Sequence, residues 1–365
     1  MKKYDYLIVG AGLYGATFAN LAINDNKKVL IIEKRNHIGG NIYTERKDNI
    51  DIHVYGPHIF HTDYEDVWKY VNSFCEFKPY INEVLATYKG KYYHLPFNMN
   101  TFKDMWGVTS KEEAQKIINS QKENINSITN LEEQAISLVG YDIYNTLIKG
   151  YTEKQWGDDC KNLPSSIIKR LPLRFEFNNN YYNDKFQGIP LKGYTALIEK
   201  MIKGCDLLLN TDFLSNKEKY ESLADKIIYT GPIDEFYSYE FGELDYRSLK
   251  FETFKFNENK HQINTVINYT EKEIPYTRSF EHKFFTNSTS DVTYVTYEYP
   301  LKYEKGKERY YPIINEKNIN LYNKYLDKSK ENKKVFFGGR LGKYKYFDMD
   351  DAIKEAMNDY KAIKN

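Results

Sequence analysis

Residues 4–15 read YDYLIVGAGLYG, and this stretch decides the fold. Its apolar half predicts a buried strand that runs into a G-x-G-x-x-G motif, Gly10, Gly12 and Gly15, where a helical pattern opens at Leu13. Glycines at these positions permit a tight turn, a close approach of the backbone to a pyrophosphate, and close packing of helix on strand. The free N–H groups of the helix N-terminus favour phosphate binding. The stretch therefore predicts a dinucleotide-binding βαβ unit.

A second strand pattern and an acidic residue follow at the spacing that this fold requires. The strand pattern 28–32 ends at Glu33, 18 positions after Gly15, about where a carboxylate binds the adenosine ribose. The nearby pair Gly39-Gly40 predicts a second close approach of the backbone to the cofactor. NAD dehydrogenases do not need this pair, whereas FAD proteins of the glutathione-reductase-like class resemble it, so FAD is favoured over NAD. The cofactor contacts expected here are Glu33, Lys34, Arg35, Gly39, Gly40 and Asn41.

Composition excludes several classes of function. The 365 residues include 52 Lys plus Arg and 51 Asp plus Glu, and the net charge of +1 indicates no affinity for nucleic acid or acidic membranes. The sequence contains no run of 18 apolar residues, so no membrane-inserted helix is predicted. Asp5 and the glycine turn interrupt any signal-peptide core, and the three cysteines have no metal-binding spacing. We expect a cytoplasmic protein of two to three domains.

The loop YGPHIFHT at 55–62 carries two histidines, His58 and His61, around Ile59. A metal site is disfavoured because no third ligand stands near, and we expect no metal. A purely structural loop and contact with a flavin ring both remain open at this point.

The rest of the chain predicts three regions with an α/β architecture. A hairpin is expected at 84–95, and a helical stretch runs over about 110–151 with capping boxes at Ser110/Glu113 and Asn130/Glu133. A turn is expected at 187–194, opening a helix at Thr195. Short strands return at 206–210 and 226–231, dense strand signals over 246–300 predict an antiparallel sheet, and a late strand ends at Gly338-Gly339.

We therefore predict a discontinuous, FAD-binding Rossmann-like domain of the glutathione-reductase-like type, with a helical insertion domain and an antiparallel β-sheet domain. The expected boundaries are 1–80, 190–235 and 312–365 for the FAD domain, 98–166 for the helical domain, and 81–97, 167–189 and 236–311 for the sheet and substrate domain.

Nine blocks in order along the chain resemble the prokaryotic UDP-galactopyranose mutase family. They are GAGLYGA (10–16), EKRNHIGGN (33–41), YGPHIFHT (55–62), KGYTEKQWG (149–157), IIKRLPLRF (167–175), QGIPLKGYT (187–195), IIYTGPID (227–234), PYTR (275–278) and FFGGRLGKYKYFDM (336–349). The nucleotide-binding motifs are shared by many flavoproteins, whereas the blocks at 149–157, 167–175 and 187–195 are far more specific.

The resemblance implies an isomerase that interconverts UDP-galactopyranose and UDP-galactofuranose without net redox change. In the family, N5 of reduced FAD attacks the sugar C1 and displaces UDP. The adduct opens to an iminium, and the C4 hydroxyl recloses the ring as a furanose. The resemblance also implies a homodimer and a role in galactofuranose supply for cell-surface polysaccharide.

Site residues follow from the same matched positions. Catalytic roles fall to Arg170, Arg278 and His61, with the two arginines on the diphosphate. The substrate contacts implied are Tyr151, Thr152, Trp156, Arg170, Tyr181, Asn268, Arg278, Tyr311 and Tyr346. Cofactor contacts are further implied for His58, Ile59, His61, Gly339, Arg340, Asp348 and Met349.

Three other functions remain as alternatives. One is a mutase that prefers UDP-N-acetylgalactosamine, and a second is an amine-oxidase-like flavin oxidoreductase. The third is a non-enzyme like the Rab GDP-dissociation inhibitors, which share the fold and bind no FAD. The intact set of Gly10, Gly12, Gly15 and Glu33 argues against the third.

Overall fold

The computed structural model describes residues 3–168 and 172–364. The strands, in chain order, are β1 Tyr4–Val9, β2 Val29–Ile32, β3 Thr44–Lys47, β4 Ile50–His53, β5 Phe60–Thr62, β6 Phe77–Pro79, β7 Val84–Tyr88, β8 Lys91–Leu95, β9 Phe186–Pro190, β10 Asp206–Leu208, β11 Ala224–Tyr229, β12 Tyr246–Phe256, β13 Val266–Tyr269, β14 Arg278–Glu281, β15 Thr293–Lys302, β16 Tyr311–Pro312 and β17 Val335–Phe337.

The α-helices, in chain order, are α1 Leu13–Asn24, α2 Glu65–Asn72, α3 Met99–Trp106, α4 Lys111–Gln121, α5 Leu131–Val139, α6 Tyr141–Ile143, α7 Lys149–Trp156, α8 Gly193–Met201, α9 Lys217–Glu221, α10 Ile233–Phe236, α11 Lys283–Thr286, α12 Glu316–Ser329, α13 Gly339–Gly342 and α14 Met349–Ile363. Short 3₁₀ turns lie at Gly40–Ile42, Ser165–Ile168 and Phe213–Asn216.

A five-stranded parallel sheet has the order β10-β2-β1-β11-β17. Its central strand β1 pairs in parallel with β2 on one side and with β11 on the other. Runs of buried apolar residues, at 6–8 in β1, 29–32 in β2 and 227–229 in β11, are those expected when helices cover both faces of a parallel sheet. The sheet therefore draws its strands from three distant parts of the chain, and their carboxyl ends meet at one edge.

Helices α1 and α14 pack against each other beside this sheet. Phe18 contacts Tyr360 edge to face with ring centroids 5.1 Å apart, and the Tyr14 hydroxyl donates to the Asp359 carboxylate. Small side chains such as Ala16 and Ala19 are fully buried in α1. The alanine-rich helix thus lies close to the strands and holds the glycine turn in place.

A seven-stranded sheet has the order β16-β12-β15-β14-β13-β7-β8. The antiparallel sheet predicted over 246–300 is confirmed, since the pairings among β12, β13, β14 and β15 are all antiparallel. The parallel pairing of β7 with β13 was not predicted. The hairpin β7-β8 comes from far upstream in the chain and extends the sheet beyond β13. Periodicity within each strand does not encode this long-range choice of partner.

The helical region spans α3 to α7, and its caps match the predicted positions. Ser110 accepts from the N–H of Glu113, and the Glu113 carboxylate accepts from the N–H of Ser110. Asn130 also caps α5, but the Glu133 carboxylate accepts from Thr129 instead, so the second box is incomplete. A wider π turn at Tyr144–Ile148 interrupts the helix just before α7.

The turn predicted at 187–194 is wrong in its first half. Residues Phe186–Pro190 form β9 between β5 and β6, and α8 begins at Gly193 instead of Thr195. Gly188 permits this insertion because a Cβ there would lie 2.7 Å from the carbonyl oxygen of Lys78. Over the two described stretches of chain, no helix is both long enough and apolar enough to cross a membrane.

Candidate active site

A cleft of about 320 Å³ opens at the carboxyl ends of the parallel strands β1, β2 and β11. Ligands bind at this edge in open α/β sheets. Most of the residues predicted as cofactor contacts line this cleft: Gly10, Gly12, Leu13, Gly15, Glu33, Lys34, Arg35, Gly39, Gly40, Asn41, His58, Gly339, Arg340, Asp348 and Met349. The remaining two, Ile59 and His61, do not line it, and Ile59 packs in a core cluster with Val84 and Phe280.

The glycines of the cleft bring two backbone segments together. A Cβ at Gly15 would lie 2.2 Å from the carbonyl oxygen of Gly10, so helix and strand pack as the motif requires. A Cβ at Gly40 would lie 2.9 Å from the Cα of Gly12. The Gly39-Gly40 turn therefore lies directly against the first glycine turn, and Gly39 and Gly40 both have positive φ angles, 97° and 54°. Bare backbone forms this part of the wall.

Glu33 is buried at the end of β2. Its carboxylate accepts from the N–H of Ala11 at 2.8 Å and from the N–H of Arg35 at 2.9 Å. These bonds fix the side chain between the two glycine turns and use only some of its acceptor sites. The carboxylate can therefore still accept a ribose hydroxyl.

Arg35 forms one side of the cleft with partners that the sequence did not reveal. Its guanidinium donates to Glu308 at 2.7 Å and stacks 4.5 Å from the ring of Tyr55. Glu308 lies in the connection before β16 and lines the cleft with Arg309 and Tyr310. These three residues carry no local motif, so their role was not predictable from spacing.

The late strand β17 leads into the far wall of the cleft. Arg340 donates to the carbonyl oxygens of Tyr310 and Phe347, at 2.9 and 2.6 Å, and its guanidinium lies 4.5 Å from the ring of Tyr346. Asp348 occupies the N-cap position of α14. The N-terminus of a second helix therefore faces the cleft.

The two predicted histidines have different surroundings. His58 lines the cleft, and its backbone N–H donates to Nδ1 of His53 at 3.1 Å. Burial lowers the pKa of His58 to about 4, helped by the charges of Arg340 and Arg278. His61 stacks on Tyr182 at 3.7 Å and bonds Asp184 through Nδ1 at 3.1 Å. No group of three His, Cys, Asp or Glu side chains within 3–168 and 172–364 could hold a metal ion.

A second group of side chains centres on Arg278 at the start of β14, and the charge of Arg278 also acts on His58 in the cleft. Nε of its guanidinium donates to Oε2 of Glu298 at 2.7 Å, and a terminal nitrogen forms an ion pair with the same oxygen at 2.7 Å. Burial alone would lower the pKa of Arg278, but the Glu298 carboxylate outweighs this and raises it. The pair keeps a permanent cation aimed in a fixed direction.

Five tyrosines surround the Arg278 cation: Tyr151, Tyr181, Tyr182, Tyr311 and Tyr346. We call Arg278 and these tyrosines together the tyrosine recess. Desolvation raises the pKa of each hydroxyl, and the nearby charge of Arg278 opposes the rise in each case. Two of them keep exposed surface for a ligand, 39% for Tyr181 and 54% for Tyr346. The sequence pointed to all of them except Tyr182.

The other predicted substrate residues lie around this recess, with one exception. Thr152 is buried in α7, and Trp156 meets Tyr311 edge to face with centroids 6.3 Å apart. Asn268 lies opposite Arg278 in the β13–β14 register. Arg170 falls outside the described residues.

Family comparison extends these observations. A family model described as "GLF: UDP-galactopyranose mutase" matches residues 146–346, and a model of an NAD(P)-binding Rossmann-like domain matches residues 8–74. The first match covers α7, β13, β14 and the whole tyrosine recess.

Curated relatives extend over nearly the whole chain. A dTDP-fucopyranose mutase of Escherichia coli is 43% identical, over 96% of this chain and 96% of that protein. A probable UDP-galactopyranose mutase of Klebsiella pneumoniae is 42% identical, over 98% of this chain and 94% of its own length. A UDP-galactopyranose mutase of Mycoplasma genitalium is 35% identical, over 97% and 93%.

Solved structures agree on the fold. A reduced UDP-galactopyranose mutase superposes with a TM-score of 0.76 at 15% identity, covering 100% of this chain and 94% of that one. A putrescine oxidase gives a TM-score of 0.59 at 10% identity, covering 100% and 99%. The chain belongs to the UDP-galactopyranose mutase family, a family of isomerases with a dinucleotide-binding Rossmann domain.

Proposed function

We propose that this protein interconverts UDP-galactopyranose and UDP-galactofuranose, with FAD in its reduced state. The observation that carries the proposal is Arg278, a cation locked by Glu298 inside a ring of tyrosines beside a dinucleotide cleft. Such a recess suits an anionic sugar nucleotide whose sugar must reach the cofactor.

The residues of the cleft fit FAD. The glycine turns at Gly10–Gly15 and Gly39-Gly40 leave bare backbone where a pyrophosphate must approach, and Glu33 keeps acceptor capacity for a ribose. Reduced FAD supplies a nucleophilic nitrogen for the anomeric carbon and requires no net redox change. His58, with its lowered pKa, would be neutral beside the flavin near pH 7.

Arg278 would stabilise the charge that grows on the diphosphate as the bond to the sugar C1 breaks. A guanidinium matches phosphate oxygens in a fixed fork geometry. Its Nε and one terminal nitrogen already contact Glu298, so the other terminal nitrogen would face the substrate. Contacts of this kind contribute about 2.7–4 kcal/mol to transition-state stabilisation.

Arg170 remains the proposed second arginine on the diphosphate. That role rests on the matched IIKRLPLRF block and not on the geometry of the recess. His61 is proposed as a supporting residue, because it orients the ring of Tyr182 by stacking and is itself held by Asp184.

The uridine would lie at the α7 side of the tyrosine recess. Tyr151 offers a flat ring, Thr152 a hydroxyl, and Trp156 a second aromatic edge. Asn268, Tyr181, Tyr311 and Tyr346 would contact the diphosphate and the sugar. We also propose that the enzyme acts in the cytoplasm as a homodimer.

A related substrate pair deserves its own test, because the dTDP-fucopyranose mutase relative matches this chain as well as the UDP-galactopyranose mutases do. That pair differs in the base, in the 2′ position of the ribose and at the sugar C6. A preference for UDP-N-acetylgalactosamine differs instead at C2.

The experiment is incubation of the purified protein with UDP-galactofuranose, dTDP-fucofuranose or the N-acetylgalactosamine analogue, each with and without dithionite, followed by chromatography. We expect conversion of UDP-galactofuranose to the pyranose only under reduction. Faster conversion of either other substrate would replace the proposed substrate. Stoichiometric oxidation of an amine or of NAD(P)H would replace the proposed reaction.

A further inference from the structure

Lys154 is a half-buried lysine on α7 whose bonds all go to one turn of the neighbouring sheet. Its ammonium donates to the carbonyl oxygens of Tyr269 at 2.6 Å, Ile274 at 3.0 Å and Tyr276 at 2.9 Å. An ammonium has three donors, so the last residue of β13 and the turn that follows it use the full capacity of the side chain. We call this arrangement the lysine clamp.

We propose that Lys154 is a positioning residue for sugar-nucleotide binding: its clamp fixes the β13–β14 turn against α7 and so sets Arg278 at its working distance from the base-binding side of α7. This inference rests on the proposed function. It adds a residue that touches neither the reacting atoms nor the nucleotide.

The clamp lies between the two halves of the tyrosine recess. Asn268 and Arg278 stand opposite each other where the turn begins and ends, and the N–H of Tyr269 donates to the carbonyl oxygen of Thr277 at 2.8 Å. On the other side, Tyr151 and Thr152 precede Lys154 within the same helix. A shift of the turn relative to α7 would therefore change the distance between the two groups that hold one substrate.

Close backbone packing makes the contact between α7 and the β13–β14 turn sensitive to such a shift. A Cβ at Gly150 would lie 2.2 Å from the carbonyl oxygen of Thr270, so helix and turn touch without an intervening side chain. The Thr270 hydroxyl lies 2.7 Å from the Thr146 carbonyl oxygen and 3.0 Å from that of Thr87. Thr270 holds the start of the turn, and the lysine clamp holds the rest.

Charges around the clamp favour its closed form at neutral pH. Burial lowers the pKa of Lys154 to about 8, and the carboxylates of Glu271 and Glu273 oppose this. Lys272 on the same turn pairs with Glu153 at 2.9 Å and Asp159 at 3.3 Å, on α7 and just beyond it. Above pH 8 a neutral amine keeps two donors, so one carbonyl loses its partner and the clamp loosens.

The test compares Lys154→Met with Lys272→Met in the full-length holoenzyme. Both remove an ammonium that joins α7 to the same turn, but the Lys272 side chain is 59% exposed and pairs with side chains, whereas Lys154 bonds the backbone of the turn. At pH 7, we expect Lys154→Met to raise the dissociation constant of UDP and the KM about tenfold, with flavin content unchanged. Lys272→Met should stay within about twofold of the wild type.

The wild-type protein provides a second measurement that needs no variant. Its UDP dissociation constant should rise at least threefold from pH 7 to pH 9, and Lys154→Met should lack this rise. Equal UDP affinity of the two variants would overturn the inference, and so would a wild-type affinity that is flat over this range. If Lys154→Met fails to fold, the wild-type pH series alone decides. Failure of the wild-type enzyme to bind UDP or convert UDP-galactofuranose would instead overturn the proposed function.

Discussion

The dinucleotide cleft and the tyrosine recess adjoin each other but are built in opposite ways. Backbone shapes the cleft: a Cβ added at Gly40 would lie 2.9 Å from the Cα of Gly12, so the two glycine turns pack backbone to backbone. Side chains shape the recess: Tyr151, Arg278 and Tyr311 come from a helix and two strands far apart in sequence. A site built from backbone requires glycines at fixed spacing, which form a motif in the sequence. A site built from side chains can draw them from distant segments, which only the fold brings together.

The largest effect is expected at the glycine turn. Gly15→Ala places a Cβ 2.2 Å from the carbonyl oxygen of Gly10, so the first turn of α1 must move away from β1. We expect protein purified without flavin and without turnover, measured by absorbance and by the mutase assay. Gly90→Ala is the control, because its φ of 75° makes the substitution strained although a Cβ there meets nothing within 4 Å. A flavin-loaded, active Gly15→Ala would contradict the backbone-built cleft.

Arg278→Ala tests the recess with the cleft intact. Because the change leaves Glu298 buried without its partner, it is combined with Glu298→Gln. We expect kcat/KM to fall about 10²–10³-fold, or about 2.7–4 kcal/mol, while the flavin spectrum is retained. Glu298→Gln alone keeps the cation and should lose much less. Loss of flavin from the double variant would mean that cleft and recess are not separable.

Stability should depend on three buried or half-buried histidines in and beside the cleft, His53, His58 and His282. Burial lowers all three pKa values, to about 4 for His58 and about 3 for His282. Unfolded histidine titrates near about 6.5, so below that pH only the unfolded chain binds these protons and stability falls. Urea unfolding at pH 7, 6 and 5 should show a loss of up to about 1.4 kcal/mol per pH unit for each histidine.

The control for this pH dependence is His282→Gln, which should make the slope shallower by about one proton. An unchanged slope would show that carboxylates, and not the buried histidines, set the acid limit.

The smallest effect is expected for Tyr346→Phe. The hydroxyl donates to Asp348 at 3.0 Å, but the side chain is more than half exposed and its ring keeps its contact with Arg340. We expect a loss in kcat/KM of about two- to fivefold, or roughly 0.5–1 kcal/mol. Tyr92→Phe, on the exposed side of β8, should have no effect in the same assay. A loss beyond about 30-fold would give Tyr346 a direct part in the chemistry.

The glycine motifs and the carboxylate at Glu33 were predictable because these residues lie within about 40 positions of one another and their spacing is set by backbone geometry. Ser110 and Asn130 were predictable as caps for the same local reason. Glu308 was not, because its contact with Arg35 joins residues 273 positions apart. The parallel pairing of β7 with β13 is equally non-local.

The residues of the tyrosine recess were predicted only through the matched sequence blocks. Their contact partners became known only from the fold. Arg278 matches a short block, PYTR, that says nothing about Glu298 or the tyrosines around it. Lys154 lies inside KGYTEKQWG and reads as an ordinary helix-surface lysine. Its three carbonyl partners become apparent only when α7 and the β13–β14 turn are seen together.

The order of the parallel sheet also governs when this protein becomes an enzyme during synthesis. Strand β1 is made first, yet its neighbour β11 and the covering helix α14 emerge more than 200 and 300 residues later. During synthesis, β1 and β2 therefore lack the strands that pair with their edges, and α1 lacks its covering helix. These exposed surfaces can associate with other chains. We expect cofactor loading to begin only after residue 363 has left the exit tunnel, so nascent chains arrested before β17 should bind no flavin.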